Sequence, residues 1–437
     1  MYQYRLNILK ERINSNAMKK WGNGTRKIDG QTITKQDKIL DITSGKLCWV
    51  IGTIFCDAKY KLNILNDVEK GSDDILPLVP VSYLGDDDGN NDEQSIVMLE
   101  DESGRAVLHN EEFLKKNLLV TGCIVAVLGI EIQAGIFEIM DVIYPKCAPQ
   151  KSLNLPIQGE NKKIALISGL NVGLNSNYDL KLEILKEYLI GELGGENDRN
   201  FNSKISQLII VGNSIEPIRD ITSENDLKNF ITTNNYGSKN ISKYNNESLV
   251  LLDQFLNDLL INLPISIMPG ENDPSEICLP QLPLHKSLFK LNQSIIGQNR
   301  LSRLTNPVWF EINNIKFLGT SGQNVEDIKK YIPKSQQQLN SSIEIMKSSM
   351  KWQNFIPTAP DTLYCYPYDN YDPFIFNKDL PHLYFVGNQP KFETDIYKCV
   401  DSNSTVRLIS IPDFKKTGEF VVLDLNTLEP EVIKIEL

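Results

Sequence analysis

Four short strings hold most of the polar residues that could do chemistry in this chain. They read I-A-L-I-S-G-L-N-V-G (164–173), L-I-I-V-G-N-S (208–214), I-S-I-M-P-G-E-N-D-P (265–274) and L-Y-F-V-G-N-Q-P (383–390). Each is an apolar run that breaks into Gly, Asn or Asp, the pattern of a buried strand delivering a loop at its carboxyl end. A phosphoryl-transfer centre at such loops needs carboxylates and imidazoles to hold two metal ions about 4 Å apart. Gly169 and Pro390 offer no ligand, and Asn171, Asn213, Asn272 and Asn388 offer one neutral carbonyl oxygen each. Glu271 and Asp273 are the carboxylates left, and the whole chain has 3 histidines, His109, His285 and His382. The latter two read as structural, hydrogen-bonded side chains. A phosphate-cradling G-x-x-x-x-G-K-[ST], a nucleophile elbow G-x-S-x-G and a dinucleotide fingerprint are all missing from the sequence.

The strings need a layered framework. Ile164–Ile167, Leu208–Val211, Ile265–Met268, Ile315–Leu318, Leu383–Val386, Val406–Ile411 and Phe420–Leu425 are spaced as short buried strands. Amphipathic helices are expected over Asp179–Leu193, with Gly194-Gly195 as its C-cap, and from a Ser248 cap to Leu260. Together they describe an α/β sandwich over residues 164–437. Residues 232–247 read as a polar insertion. Ahead of it, Pro145, Pro149 and Pro156 mark a linker over 146–163.

Residues 41–145 change period. Lys46–Phe55, Ser95–Glu100, Arg105–Leu108, Val120–Ile130 and Gly135–Ile143 read as five strands, with a short helix at Glu111–Lys116. That order predicts an OB-fold barrel. Such barrels often bind single strands through basic grooves and open aromatics. Here the 85–93 loop is acidic and the aromatics are few, so a structural or protein-docking barrel is the stronger expectation. Residues 1–40 are expected as a helical segment, with residues 1–20 as a helix carrying Leu6, Ile8, Leu9, Ile13 and Ala17 on one approximate stripe.

Composition bounds the partners. With a net charge of −11, the bulk field opposes DNA, so any link to nucleic acid is expected to be mainly indirect. No apolar run is long enough to span a bilayer, which argues against a membrane role. The 7 cysteines are scattered with no C-x-x-C pair, which favours reduced thiols over a metal site of this chain's own. Tyr364, Tyr366, Tyr368 and Tyr371 crowd into nine residues. They suit either a partner interface or the packing of the barrel on the α/β part.

The order of the four strings resembles the calcineurin-like metallophosphoesterases, whose active members carry D-x-H, G-D, G-N-H-[DE] and G-H-x-H after successive strands. On that pattern Gly169 and Asn171 stand for the Asp and His of the first motif, and Asn213 for the Asp of the second. Glu271 and Asn272 stand for the Asn-His pair of the third, and Asn388 and Pro390 for both histidines of the last. The resemblance implies a sandwich that lacks its metal ligands and has no catalytic residues. The alternatives are a divergent metal-dependent phosphoesterase or a single-strand DNA-binding OB-fold protein.

A barrel ahead of such a domain resembles the B-subunits of replicative DNA polymerases. The strings M-L-E-D-E-S-G-R (98–105), L-P-L-H-K-S-L-F (282–289), M-K-W-Q-N (350–354) and A-P-D-T-L-Y-C-Y-P-Y (359–368) are similar to those of the small regulatory subunit of DNA polymerase delta in fungi. This resemblance implies a non-catalytic, nuclear scaffold that holds no cofactor. It would bind the C-terminal cysteine-rich module of the catalytic subunit, which would carry the zinc or iron–sulfur cluster of the assembly. It would also bind the N-terminal domain of a third, clamp-interacting subunit. Sharing with the catalytic subunit of polymerase zeta would extend the role from replication and repair to translesion synthesis. Relatives carry more residues ahead of Y-Q-Y-R-L, so a missing or shortened N-terminal piece is expected.

Overall fold

The computed structural model describes residues 1–61, 80–84, 96–153, 162–173, 176–217, 245–292, 300–333, 336 and 338–436. The acidic 85–93 loop, residues 154–161 of the linker and residues 232–244 of the polar insertion lie outside them.

Five strands form the barrel: β1 (Leu47–Asp57), β2 (Ile96–Glu100), β3 (Arg105–His109), β4 (Ile124–Gln133) and β5 (Ile136–Ile143). β1 pairs antiparallel with β2 and β2 with β3. β3 runs parallel to β5, β5 antiparallel to β4, and β4 returns to β1. With the Glu111–Lys116 helix between β3 and β4, this is an OB-fold.

β1 is buried on both faces, and the alternation of its side chains explains why. Cys48, Val50, Ile54 and Cys56 belong to the core inside the barrel. Leu47, Trp49 and Ile51 point the other way and are covered by α1 (Tyr2–Lys20). α1 presents Leu9, Ile13 and Ala17 at four-residue spacing, with Trp21 just beyond its end. Leu6 and Ile8, placed on the expected stripe, are only half-buried. The Trp49 indole N–H donates to Gly22 O at 2.8 Å. Burying Leu9 and Ile13 contributes about 1.5–3 kcal/mol each. The helix expected over residues 1–20 forms as Tyr2–Lys20, and the segment beyond it turns. Gly22, Gly24 and Gly30 take positive φ and turn the chain, and Lys27–Ile28 pairs with Gln31–Thr32 as a small hairpin.

The α/β part holds two sheets packed face to face. The first contains β6 (Lys163–Ile167), β7 (Ile205–Val211), β8 (Ile265–Met268) and β9 (Leu301–Arg303) in parallel, with β15 (Glu419–Asp424) and β16 (Pro430–Lys434) antiparallel beyond β6. The second contains β10 (Val308–Ile312), β11 (Ile315–Thr320), β12 (Leu383–Gln389), β13 (Glu393–Lys398) and β14 (Thr405–Pro412). Its spatial order is β10-β11-β12-β14-β13, with the three central strands parallel. Ile164, Leu166, Ile209 and Val211 meet Phe317, Phe385, Ile409 and Ile411 between the sheets.

Helices Ser176–Ile190 and Asn246–Leu260 cover the outer face of the first sheet through Leu182, Leu185, Leu252 and Leu256. Both helix ends differ from expectation. The first helix stops at Ile190, and Gly191 (φ +90) turns the chain, while Gly195 precedes a further helix, Glu196–Asn202. The Asn245 side chain accepts from Glu247 N and caps the second, which leaves Ser248 inside that helix and buried.

The outer face of the second sheet carries helix Ser342–Trp352 and merges with the barrel interior into one core. Buried polar latches close the junction. Arg5 in α1 meets the Asp372 carboxylate at 2.7 Å and donates to Pro357 O at 2.7 Å and Ala359 O at 3.1 Å. Tyr83 O–H and Thr362 O–H both donate to Asp327.

Candidate functional site at the strand ends

The four strings meet at the carboxyl ends of β6, β7, β8 and β12 as a closed polar seam. Asn171 (φ +42), Asn213 (φ +52) and Asn388 (φ +57) all adopt left-handed backbone, which Asn tolerates better than most side chains. The side chains of Asn213 and Asn388 brace neighbouring loops, and that of Asn171 its own loop. Asn388 Nδ2 donates to Ser321 O at 2.7 Å and Val211 O at 3.2 Å. Asn171 Nδ2 donates to Gly169 O at 3.2 Å, and Asn272 N donates to Asn213 Oδ1 at 3.1 Å. Ser168 Oγ accepts from Asn388 N at 2.8 Å and donates to Pro412 O at 3.0 Å.

The glycines allow this closeness. A Cβ on Gly212 would stand 2.1 Å from Ser321 Oγ, and one on Gly270 2.4 Å from Asn213 N. Gly169 (φ +64) is the informative position. Its missing side chain would stand 2.9 Å from Asp413 Oδ1 and 3.0 Å from Asn388 Oδ1. The place of the first expected carboxylate is therefore filled by two other residues. Asp413 caps the short Phe414–Thr417 helix and was not singled out by sequence, although D-F-K-K-T-G carries a capping signal.

Asp273 is the buried carboxylate of the seam. Its Oδ1 accepts from Ser214 N (2.8 Å) and Ile215 N (3.2 Å), and its Oδ2 from Gly270 N (2.8 Å). Burial pushes its carboxyl up to about 6, and these backbone donors pull against that. Burial likewise raises the Asp413 carboxyl, against Lys416. Glu271 and Pro390 are exposed at the rim.

The three histidines lie away from the seam's hydrogen bonds. His109 ends β3 on the surface, and His285 Nδ1 accepts from Ser287 N. His382 is buried, with Nδ1 accepting from Lys316 N at 2.8 Å and Nε2 2.9 Å from Lys151 O. Among the described residues no three His, Cys, Asp or Glu side chains gather as a group that could hold a metal ion.

The tyrosines form a second feature. Tyr366 and Tyr371 are 60% and 54% exposed. Tyr368 sits between them, with ring centroids 5.1 Å from Tyr366 and 5.6 Å from Tyr371. Tyr364 is half-buried, and its carbonyl accepts from Leu279 N. The 357–372 segment does tie the barrel to the α/β part, but through Pro357, Ala359, Asp361, Thr362 and Asp372. The three rings meet tilted and edge-to-face as a ridge.

On the barrel, Lys10, Asp37, Glu100, Asp101, Glu102 and Asp361 line a hollow of about 490 Å³ beside Phe55, and Asp37, Glu100, Glu102 and Asp361 pair with Lys35, Arg105, Lys38 and Lys61. The Phe55 ring already carries Lys61 Nζ 4.0 Å from its centroid and Arg105 Cζ at 5.2 Å.

Known proteins resemble both halves. Residues 1–142 match the family model of the DNA polymerase delta subunit OB-fold domain, and residues 164–394 that of the DNA polymerase alpha/epsilon B-subunit. The DNA polymerase delta small subunit of Saccharomyces cerevisiae is 39% identical, over 100% of this chain and 89% of the relative. That of Arabidopsis thaliana is 36% identical over 90% of this chain and 82% of its own length. DNA polymerase delta subunit 2 of Drosophila melanogaster is 30% identical over 100% and 93%. The chain belongs to the small-subunit family of DNA polymerase delta, accessory subunits of a replicative DNA polymerase.

Proposed function

We propose that this chain is a non-catalytic scaffold. It bridges the C-terminal cysteine-rich module of the polymerase delta catalytic subunit and the N-terminal domain of a third, clamp-interacting subunit, in the nucleus. The same surfaces would serve the polymerase zeta catalytic subunit. Zinc or an iron–sulfur cluster is assigned to the catalytic partner and no cofactor to this chain. Residues 164–437 are read as a calcineurin-like sandwich without metal ligands, joined through a 146–163 linker to the 41–145 barrel, with 1–40 strapped across it.

One observation carries the non-catalytic reading. The amide N–H groups of Asn171 and Asn388 donate to backbone carbonyls, and the space beside Gly169 is filled by Asp413 and Asn388, whose Oδ1 is buried without a partner among the described residues. A neutral amide already donating to backbone carbonyls neither offsets the charge of a dication nor activates a water. The Phe55 ring, covered by Lys61 and Arg105, weighs against single-strand binding by the barrel, because stacking needs an open ring face. The ridge of Tyr366, Tyr368 and Tyr371 has the exposed aromatic, polar-tipped character of an interface anchor, and we assign partner docking to it. Tyr364 is its half-buried root.

Co-expression with the C-terminal module of the catalytic subunit tests the scaffold and is expected to yield a stable complex. Failure to co-purify at micromolar concentration overturns it. Stoichiometric manganese, iron or zinc in the isolated chain, together with turnover of a generic phosphodiester, would establish the phosphoesterase reading instead.

A further inference from the structure

A second surface stands out by charge. A groove of about 660 Å³ runs where the end of α1, the Glu111–Lys116 helix, the end of the Ser342–Trp352 helix and β13 converge. Lys19, Lys20, Lys116, Lys351 and Lys398 line it, against Glu344 and Asp401. The local excess of positive charge sits in a chain whose net charge is −11.

Much of that charge is uncompensated. Lys20 pairs with Asp141 at 2.6 Å, and Lys116 reaches Glu112 at 3.9 Å. Lys19, Lys351 and Lys398 are exposed and have no carboxylate partner among the described residues. Glu344 is held by Lys347, and Asp401 accepts from the Asn16 amide. Lysines in the last turn of a helix answer the helix dipole, an ordinary structural reason for Lys19, Lys116 and Lys351. A helix C-terminus carries only about half a negative charge, so each lysine leaves a positive remainder. Lys398 lies on a strand and has no such reason.

The floor is apolar. Leu118 and Val142 are half-buried along it, and Val400 on the rim is 95% exposed. The aromatic rings here give no stacking platform. Trp352 is buried in the core, and burial also pushes the Tyr144 and Tyr397 hydroxyls well above the usual tyrosine range. Single-stranded nucleic acid needs open ring faces, whereas a peptide carrying both apolar and acidic side chains meets the floor and the lysine rim together.

We propose that this groove docks an acidic, apolar-anchored segment of a partner chain in the polymerase assembly. The inference rests on the scaffold reading and adds to it a site and the chemistry of its ligand. Amine-reactive labelling read by mass spectrometry tests it on the full chain, on the co-purified assembly, and on the assembly with primer–template DNA.

On assembly without DNA, labelling of Lys19, Lys351 and Lys398 is expected to fall about five-fold or more, the protection of a side chain held in an ion pair and desolvated. Carbodiimide is then expected to join at least one of them to an Asp or Glu of a partner. The double variant Lys351→Glu with Lys398→Glu is expected to keep its unfolding midpoint and to weaken assembly about ten-fold. Unchanged labelling in an assembly that has formed overturns the groove while leaving the scaffold intact. So does protection that appears only with DNA, which assigns the groove to nucleic acid. If no assembly forms, the scaffold reading fails and takes the groove with it.

Discussion

The strand-end seam and the tyrosine ridge both gather polar-tipped side chains, but the two sets are used in opposite ways. In the seam, Asn171, Asn213 and Asn388 turn the chain through left-handed backbone; the Asn213 and Asn388 side chains brace neighbouring loops and that of Asn171 its own. On the ridge, Tyr366 and Tyr371 keep more than half their surface open and contact the Tyr368 ring between them. A buried amide that donates to backbone carbonyls holds a fold together, although the Asn388 Oδ1 is left without a partner among the described residues. An exposed aromatic contributes little to folding and can bury area only against something else. Substitutions in the seam should therefore change stability, and those on the ridge association.

The largest expected effect lies at Gly169. Gly169→Asp introduces the carboxylate that the resemblance to active metallophosphoesterases would place there. It also forces a side chain onto φ +64 and against the Asp413 carboxylate. Burying a second negative charge in that space is expected to cost about 4 kcal/mol, read as a lower urea midpoint. A variant as stable as the parent would mean that the seam can open. Next comes Asp273→Ala, which leaves the N–H groups of Gly270, Ser214 and Ile215 without their acceptor. A loss of about 3 kcal/mol is expected, with co-purification of the folded fraction unchanged.

The strand ends were legible because an apolar run that breaks into Gly-Asn is local information. The barrel order was legible for a similar reason, since its strands alternate and its short helix lies between β3 and β4. The edge strands β9, β10, β13 and β16 were not. Glu393–Lys398 reads E-T-D-I-Y-K, with little apolar alternation, and becomes a strand by pairing with β14. Nor could sequence bring Asp413 beside Gly169, because that contact joins residues 244 positions apart. Arg5 shows the same limit. In a charged helix it reads as a surface residue, yet the fold buries it against Asp372 across the domain junction. The tyrosines were legible as a cluster, but which way their rings face depends on how the 357–372 segment is bolted underneath.

The ridge supplies the complementary test. Tyr366→Ser with Tyr371→Ser removes two exposed rings whose loss should shift the unfolding midpoint by less than about 0.5 kcal/mol. Association with the catalytic subunit's C-terminal module is expected to weaken about ten-fold by titration calorimetry. Unchanged affinity would remove the ridge from the interface, and a large stability loss would show that the rings pack the fold after all.

The smallest effect is a proton. Burial raises the Asp273 carboxyl from the ordinary 3.8 to about 6, so the folded chain binds this proton more tightly than the unfolded chain does. The stability this contributes is fully present below pH 3.8 and is lost as pH rises through 6. Between pH 7 and 5.5 the parent should therefore gain about 0.8 kcal/mol relative to Asp273→Asn, which cannot take up the proton. Comparing the two urea midpoints at each pH cancels carboxylates common to both. A gap that moves the other way would mean that the three backbone donors outweigh burial and hold Asp273 ionised. The seam would then be built around a fixed negative charge, where the raised carboxyl describes a site that accepts a proton as the medium acidifies.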